Sequence, residues 1–384
     1  MAPAIVEASA AAPEERPGPY RVMIVDDSVV VRGLITRALE ADPEIEVVAS
    51  VGNGLQALNA AQRNKIEVVV LDIEMPVMDG MTALGKLLEL DPTIKVIMAS
   101  TLTKRNAEIS IKALAAGAAD YLAKPTATRE LVGAADFQRE LLGKVKGLGA
   151  VRRGGAGRVS ARALRPGEAT APGPAQAPTR RPMPLRRPGA ARPELLAIAS
   201  STGGPQALMT VLGGLDPRMT LPIVVTQHMP PTFTTILAEH LARQSKRPCR
   251  EAADGEPILP GHIYIAPGDF HLLGENKGGR LIAKLDKGPP ENFCRPAADP
   301  MLRSLAEACG GKVLVLVLTG MGQDGLSGAR TLADSGGTVV AQDEATSVVW
   351  GMPGAAAQAG ICAAILPVGE IPAFVQKFVL EGRI

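Results

Sequence analysis

Leu195-Leu196-Ala197-Ile198-Ala199 runs straight into Ser200-Ser201-Thr202-Gly203-Gly204-Pro205. A short apolar run of this kind suits a strand buried on both faces. The hydroxyls, paired glycines and proline that follow suit a turn into the first residues of a helix. Two other stretches end alike: Val224-Val225-Thr226-Gln227-His228-Met229-Pro230, and Val313 to Leu318 followed by Thr319-Gly320-Met321-Gly322-Gln323-Asp324-Gly325. In an open parallel sheet the loops after the strands' carboxyl ends share one edge, so Ser201, His228 and Asp324 can converge although they are far apart in sequence.

The same alternation fills the first half of the chain. Val22–Val25, Glu46–Ala49, Val68–Leu71, Lys95–Met98 and Ala119–Ala123 are short apolar runs separated by amphipathic stretches, which predicts five strands interleaved with helices. The fold class is therefore α/β, with two doubly wound parallel-sheet domains. The expected divisions are a disordered tail at 1–19, a first domain at 20–143, a linker at 144–193 and a second domain at 194–384. Between Gly147 and Arg192 the composition is Arg, Pro, Gly and Ala, with Glu168 the only acid. A solvated, semi-extended spacer accounts for this better than a dedicated anion-binding arm. Cys249 to Leu285 reads as a less regular, β-rich insert.

Composition narrows the function. The 384 residues carry a formal net charge of +2 and are 46% hydrophobic, which fits two globular domains and argues against nucleic acid as a ligand. Cys249, Cys294, Cys309 and Cys362 are scattered without a Cys-x-x-Cys pair, as expected for reduced thiols in a cytoplasm. The first 19 residues contain Glu7, Glu14 and Glu15 and lack the basic and apolar regions of a signal peptide. No apolar run is long enough for membrane insertion.

Acidic and polar residues recur at strand ends in the first domain. Asp26 and Asp27 follow the first strand, Asp72 ends the third, Ser100 ends the fourth, and Lys124 follows the fifth. Clustered carboxylates repel one another, and a hard divalent cation such as Mg2+ relieves that repulsion with oxygen ligands. Asp26 and Asp27 would hold the metal beside Asp72, the nucleophile for a phosphoryl group. Lys124 would neutralise charge, Ser100 would bond a phosphoryl oxygen, and Tyr121 would swing in response. Asp27 or Ser28 could equally cap the following helix. Through Val25-Asp26-Asp27-Ser28, Leu71-Asp72-Ile73-Glu74-Met75-Pro76, Asp79-Gly80 and Ala123-Lys124-Pro125, residues 20–143 resemble a response-regulator receiver domain, of flavodoxin-like fold. The resemblance implies phosphotransfer from a chemotaxis histidine kinase onto Asp72, with the main-chain carbonyl of Glu74 completing the Mg2+ site.

A serine becomes a nucleophile when an imidazole takes its proton and a carboxylate holds that imidazole. Ser201, His228 and Asp324 supply the three types in the order Ser, His, Asp, which disfavours the α/β-hydrolase fold with its order Ser, Asp, His. Ser200 is a rival nucleophile by adjacency. The glycines beside Thr202 and Met321 let main-chain N–H groups approach a substrate, making these two residues candidates for an oxyanion hole. His240, His262 and His271 have weaker claims. Residues 194–384 resemble the catalytic domain of the chemotaxis protein-glutamate methylesterases through Ser201–Pro205, Gln227–Pro231, Asp254-Gly255-Glu256, Leu259–Gly268, Leu318–Gly325 and Gly351-Met352-Pro353. Ala199 stands where glycine is usual. The resemblance places the nucleophile on Ser201. It implies a cytoplasmic hydrolase that removes γ-methyl esters from glutamyl residues of methylated chemoreceptor cytoplasmic domains, deamidates receptor glutamines, and needs no cofactor for that reaction. A non-catalytic phosphate sink or receptor adaptor would lack a triad member, and none is missing. No basic recognition helix follows the linker, as a DNA-binding regulator would require.

Overall fold

The computed structural model describes residues 18–124, 134–154 and 183–381. Most of the expected tail, the central part of the expected linker and Pro125 lie outside these residues. The first unit runs β1 (Tyr20–Val25), α1 (Val29–Glu40), β2 (Ile45–Val51), α2 (Gly54–Arg63), β3 (Val68–Asp72), α3 (Gly80–Leu90), β4 (Lys95–Ser100), α4 (Lys104–Ala115), β5 (Asp120–Ala123) and α5 (Ala134–Arg152). The side chains of Ser28, Asn53, Asp79 and Thr103 cap α1 to α4 by accepting from main-chain N–H groups of the first turn, so each strand-to-helix turn is written locally. All five strands pair in parallel in the order β2-β1-β3-β4-β5. That is the flavodoxin-like order, with its reversal between β1 and β3, where Asp26 and Asp72 emerge.

The second unit contains β6 (Leu195–Ser200), α6 (Gly204–Gly213), β7 (Ile223–Gln227), α7 (Phe233–Ser245), β8 (Cys249–Glu251), β9 (Ile263–Ile265), β10 (His271–Lys277), β11 (Arg280–Asp286), α8 (Ala298–Cys309), β12 (Val313–Val317), α9 (Leu326–Asp334), β13 (Thr338–Gln342), α10 (Met352–Gln358), β14 (Ala364–Leu366) and α11 (Ile371–Glu381). Seven strands form a parallel sheet in the order β14-β13-β12-β6-β7-β9-β8. Every residue of β6, β7 and β12 is buried, as strands covered on both faces must be. The strand order reverses at β6 and β12, so the loops bearing Ser201 and Asp324 leave adjacent strands on either side of the switch point. β7, on the other side of β6, delivers His228.

Two expectations differ from the structure. Cys249–Leu285 is not one insert: β8 and β9 extend the main sheet in parallel, and among the described residues β10 and β11 alone form a separate antiparallel pair. The expected linker from 144 begins with the last turns of α5, where Lys144, Val145 and Leu148 are buried. Gly143, Gly147 and Gly149 masked this helix in the sequence. At Gly143 and Gly149 the lack of a side chain serves close packing, since a Cβ at Gly149 would lie 2.5 Å from the Tyr20 ring and one at Gly143 would lie 2.6 Å from Met321 Cε. The basic residues there are paired, Arg152 with Asp91 at 2.7 Å and Arg153 with Glu67 at 2.5 Å. At the other end, Arg186 donates its N–H to the Cys362 carbonyl and pairs with Asp334, while Gly189 N–H donates to Thr338 Oγ1.

The two units share a packed boundary. One apolar cluster runs from Met98, Ile111 and Tyr121 into Leu208, Phe233 and Leu237. The Tyr121 and Phe233 rings stack at 4.7 Å, and Gln206 Nε2 donates to the carbonyls of Leu114 and Ala118 at the end of α4. A second cluster joins Leu141, Val145 and Leu148 of α5 to Val349.

Candidate active site and phosphoacceptor site

The loops after β6, β7 and β12 bring the three expected residues into one hydrogen-bonded chain. Ser201 Oγ lies 3.1 Å from His228 Nδ1, and His228 Nε2 lies 2.6 Å from Asp324 Oδ2. A neutral ring with its proton on Nε2 donates to Asp324 and presents a bare Nδ1 lone pair to the serine hydroxyl. The two serines are separated by their surroundings. Ser200 is fully buried, and its hydroxyl donates to Gln227 Oε1 at 2.7 Å. Gln227 Nε2 donates to the Ser201 carbonyl at 2.9 Å, tying the Ser201 turn to β7.

Asp324 is held from behind. Its oxygens accept the main-chain N–H groups of Ala298 (2.6 Å) and Asp299 (3.1 Å) and the Asn292 amide (3.0 Å). The first two are unpaired donors at the start of α8, so Asp324 caps that helix from outside and lies at its positive end. Burial by itself would raise the Asp324 carboxyl, but the His228 bond and the helix amides hold it below the usual carboxylate range. Burial would likewise depress the His228 imidazole, yet the Cys294 sulfur and the Asp324 carboxylate raise it well above its ordinary value. Asp299 sits beside this pair and is pushed up to about 6, chiefly by burial.

The turn after Ser201 depends on glycine. Gly203 has φ +74°, and a Cβ there would lie 2.5 Å from Val348 Cβ. Gly203→Ala is expected to cost about 1–3 kcal/mol of stability, read as a lower urea midpoint at unchanged slope. The expected oxyanion donors are Thr202, next to Ser201 in the chain, and Met321, next to the Gly320 that packs against Ser201, and among the described residues neither main-chain N–H donates to a protein acceptor.

Sequence reasoning missed a second layer of this site. Asn292 and Phe293 both adopt positive φ, +51° and +63°, an unfavourable conformation for phenylalanine, costing about 1–2 kcal/mol. Glu291 and Cys294 close this turn by exchanging main-chain hydrogen bonds at 3.1 and 2.9 Å. Its side chains reach the candidate triad: Asn292 bonds Asp324, and Cys294 Sγ lies 3.4 Å from His228 Nδ1. A strained, non-glycine turn beside a buried acid carries no local sequence signature.

In the first unit, carboxylate oxygens of Asp26, Asp27 and Asp72 lie within 4.8 Å of one another. Lys124 Nζ bridges Asp26 and Asp72, at 2.6 Å from each. Burial, reinforced by Asp26, raises the Asp72 carboxyl above its usual range despite Lys124. A set of hard oxygen donors with surplus negative charge fits a small divalent cation. Glu74 lies in the following loop with an exposed side chain 3.6 Å from Arg105. Ser100 is buried and its hydroxyl accepts from Ser110 at 3.2 Å. Of the candidate helix caps, Ser28 rather than Asp27 accepts from Val31 N–H.

Comparison with known proteins finds a family for each of the two units. Residues 22–136 match the response regulator receiver domain family and residues 196–375 match the CheB methylesterase family. The protein-glutamate methylesterase/protein-glutamine glutaminase of Azospirillum brasilense is 58% identical over 94% of this chain and 93% of its own length. The chain belongs to that family. A relative of the same name from Rhodospirillum centenum is 56% identical over 94% of each chain. The solved catalytic domain of the Thermotoga maritima CheB methylesterase is 42% identical, covering 49% of this chain and 99% of that one, with a TM-score of 0.48. As in other members, this family chain joins a receiver to a methylesterase domain, and among its described residues no helix is long and apolar enough to cross a membrane.

Proposed function

We propose that this chain is a phosphorylation-controlled serine esterase that hydrolyses glutamyl γ-methyl esters on the cytoplasmic domains of chemoreceptors, releasing methanol, and deamidates receptor glutamines. The observation that carries the reading is the chain Ser201 Oγ to His228 Nδ1 to Asp324, at 3.1 and 2.6 Å, on a domain of the methylesterase family. Ser201 Oγ attacks the side-chain carbonyl as its proton passes to Nδ1, and Asp324 supports the imidazolium. The main-chain N–H groups of Thr202 and Met321 receive the developing oxyanion. Methanol, or ammonia from glutamine, leaves with the proton from Nδ1. Water then surrenders a proton to Nδ1 as it cleaves the glutamyl ester, restoring Ser201.

Control lies in the receiver. Asp72 accepts the phosphoryl group from a histidine kinase. Asp26, Asp27, Asp72 and the Glu74 carbonyl would hold Mg2+, which offsets the charge of the incoming group. Ser100 and Lys124 are the groups that draw on the phosphoryl oxygens. The shared boundary supports inhibition by docking: α5 sets Gly143 against Met321 and Arg139 4.1 Å over the Phe293 ring, so the receiver occupies the rim of the catalytic site. Rearrangement at Tyr121 would loosen its stack on Phe233 and open that rim.

Methanol release from methylated receptor membranes, with and without a small phosphodonor, tests the reading. Release by the full chain, stimulated by phosphodonor, is expected; none under either condition would sink it. Tyr121→Ala is expected to raise unphosphorylated activity by about 5-fold or more, the lower end of ordinary coupling between sites. Unchanged basal release in that variant would remove the stack from the inhibitory contact.

A further inference from the structure

The basic nitrogen of His228 has two suitors. Ser201 Oγ is 3.1 Å from Nδ1 and Cys294 Sγ is 3.4 Å from the same atom, while Nε2 is occupied by Asp324. A ring nitrogen offers one lone pair. Cys294 is not there by looseness of a loop, because its turn is pinned on three sides. Asn292 bridges Asp324 and Asp299 at 3.0 and 3.1 Å, Glu291 forms a two-bonded pair with Arg303 at 2.7 and 2.6 Å, and main-chain bonds join Glu291 to Cys294. One turn therefore grips both the acid and the base. The other cysteines stand elsewhere, and burial pushes the thiols of Cys249, Cys309 and Cys362 up to about 12, 11 and 12.

We propose that Cys294 is a further catalytic residue: its thiol competes with Ser201 for His228 Nδ1 and, by passing its proton to that nitrogen, parks the base as an imidazolium beside a thiolate. In that transfer the S–H bond breaks, its electron pair stays on sulfur, an N–H bond forms, and nothing leaves the site. Return of the proton to sulfur frees Nδ1 for Ser201. The Asp324 carboxylate favours the charged ring of the parked form. Asp324 faces Nε2 from the loop after β12, Asp299 stands behind it on α8, and the Glu291–Arg303 pair and the receiver's Arg139 lie at the turn. The inference rests on the proposed role of Ser201, His228 and Asp324. It adds that one proton is exchanged between Cys294 Sγ and His228 Nδ1, 3.4 Å apart.

Two measurements on the full chain decide it. With phosphodonor present, the acid limb of methanol release in Cys294→Ala is expected to move about one pH unit lower, roughly tenfold more free base on that limb. Cys294→Ser should move likewise, since an alcohol is too weak an acid to form a resting ion pair with imidazole and gives up its proton only as it attacks a carbonyl. Profiles superimposed on wild type, or release lost at every pH, would overturn the proposal. The second measurement needs no turnover: iodoacetamide labelling of Cys294, followed by peptide mass, is expected to slow about tenfold in His228→Ala, because the thiol loses its proton acceptor. Equal labelling rates would refute the pair even in an active enzyme, whereas failure of the triad would leave the labelling difference intact.

Discussion

Ser201→Ala is expected to lower methanol release by about 10^4-fold or more, and His228→Ala by a similar factor, because nucleophile and base act as a unit and removing either removes the covalent route. Both substitutions delete atoms from the rim of a site whose scaffold is main chain, so Asp72 phosphorylation and the folded state should survive. The measurement is release from methylated receptor membranes alongside phosphoryl labelling and circular dichroism. Asp324→Ala is expected to lose less, since orientation and charge support are partly replaceable. The arrangement also makes a sharp statement about the neighbouring hydroxyl. Ser200 is spent on Gln227 inside the protein, so Ser200→Ala should keep measurable turnover. A dead Ser200→Ala beside an active Ser201→Ala would move the nucleophile by one residue.

Asp72→Ala is expected to abolish acid-labile phosphorylation and with it all stimulation by phosphodonor. Asp72 is the buried carboxylate at the end of β3, held by Lys124 and crowded by Asp26. In the wild type, chelating divalent cations should have the same effect, because a dianionic phosphoryl donor approaching three carboxylates meets strong repulsion that Lys124 alone does not offset. Label that persists in Asp72→Ala, or uptake indifferent to chelation, would place the acceptor elsewhere. A fragment beginning near Glu194 should behave oppositely, outperforming the unphosphorylated full chain on receptor and ignoring phosphodonor. A fragment no faster than the full chain would remove docking as the means of inhibition.

Much of this was legible because parallel α/β folds write their strands and turns locally. A strand such as Val313–Val317 is covered on both faces and so is apolar throughout, and the loop that leaves it must carry whatever polar chemistry the sheet edge displays. Ser201, His228, Asp324 and the acidic residues after β1 and β3 follow from that rule, as does Ser28 as one of two candidate caps for α1. Short-range hydrogen bonds and side-chain period are enough to recognise such elements.

What the tertiary structure alone decided involves contacts between residues distant in the chain. The length of α5 was hidden because Gly143, Gly147 and Gly149 look like linker, and the meaning of Gly143 and Gly149 lies in Met321 and Tyr20, which they approach closely. β8 and β9 were read as part of an insert because strands of three residues carry too little pattern to reveal their sheet. The resemblance of the sequence already places the nucleophile on Ser201, and only packing sets which way each hydroxyl points, Ser200 inward to Gln227 and Ser201 outward to His228. Cys294 reaches His228 only because a left-handed turn, held by Asn292 on Asp324, aims it there. Local sequence specifies the elements through near-neighbour physics, whereas packing sets which side chains share a proton.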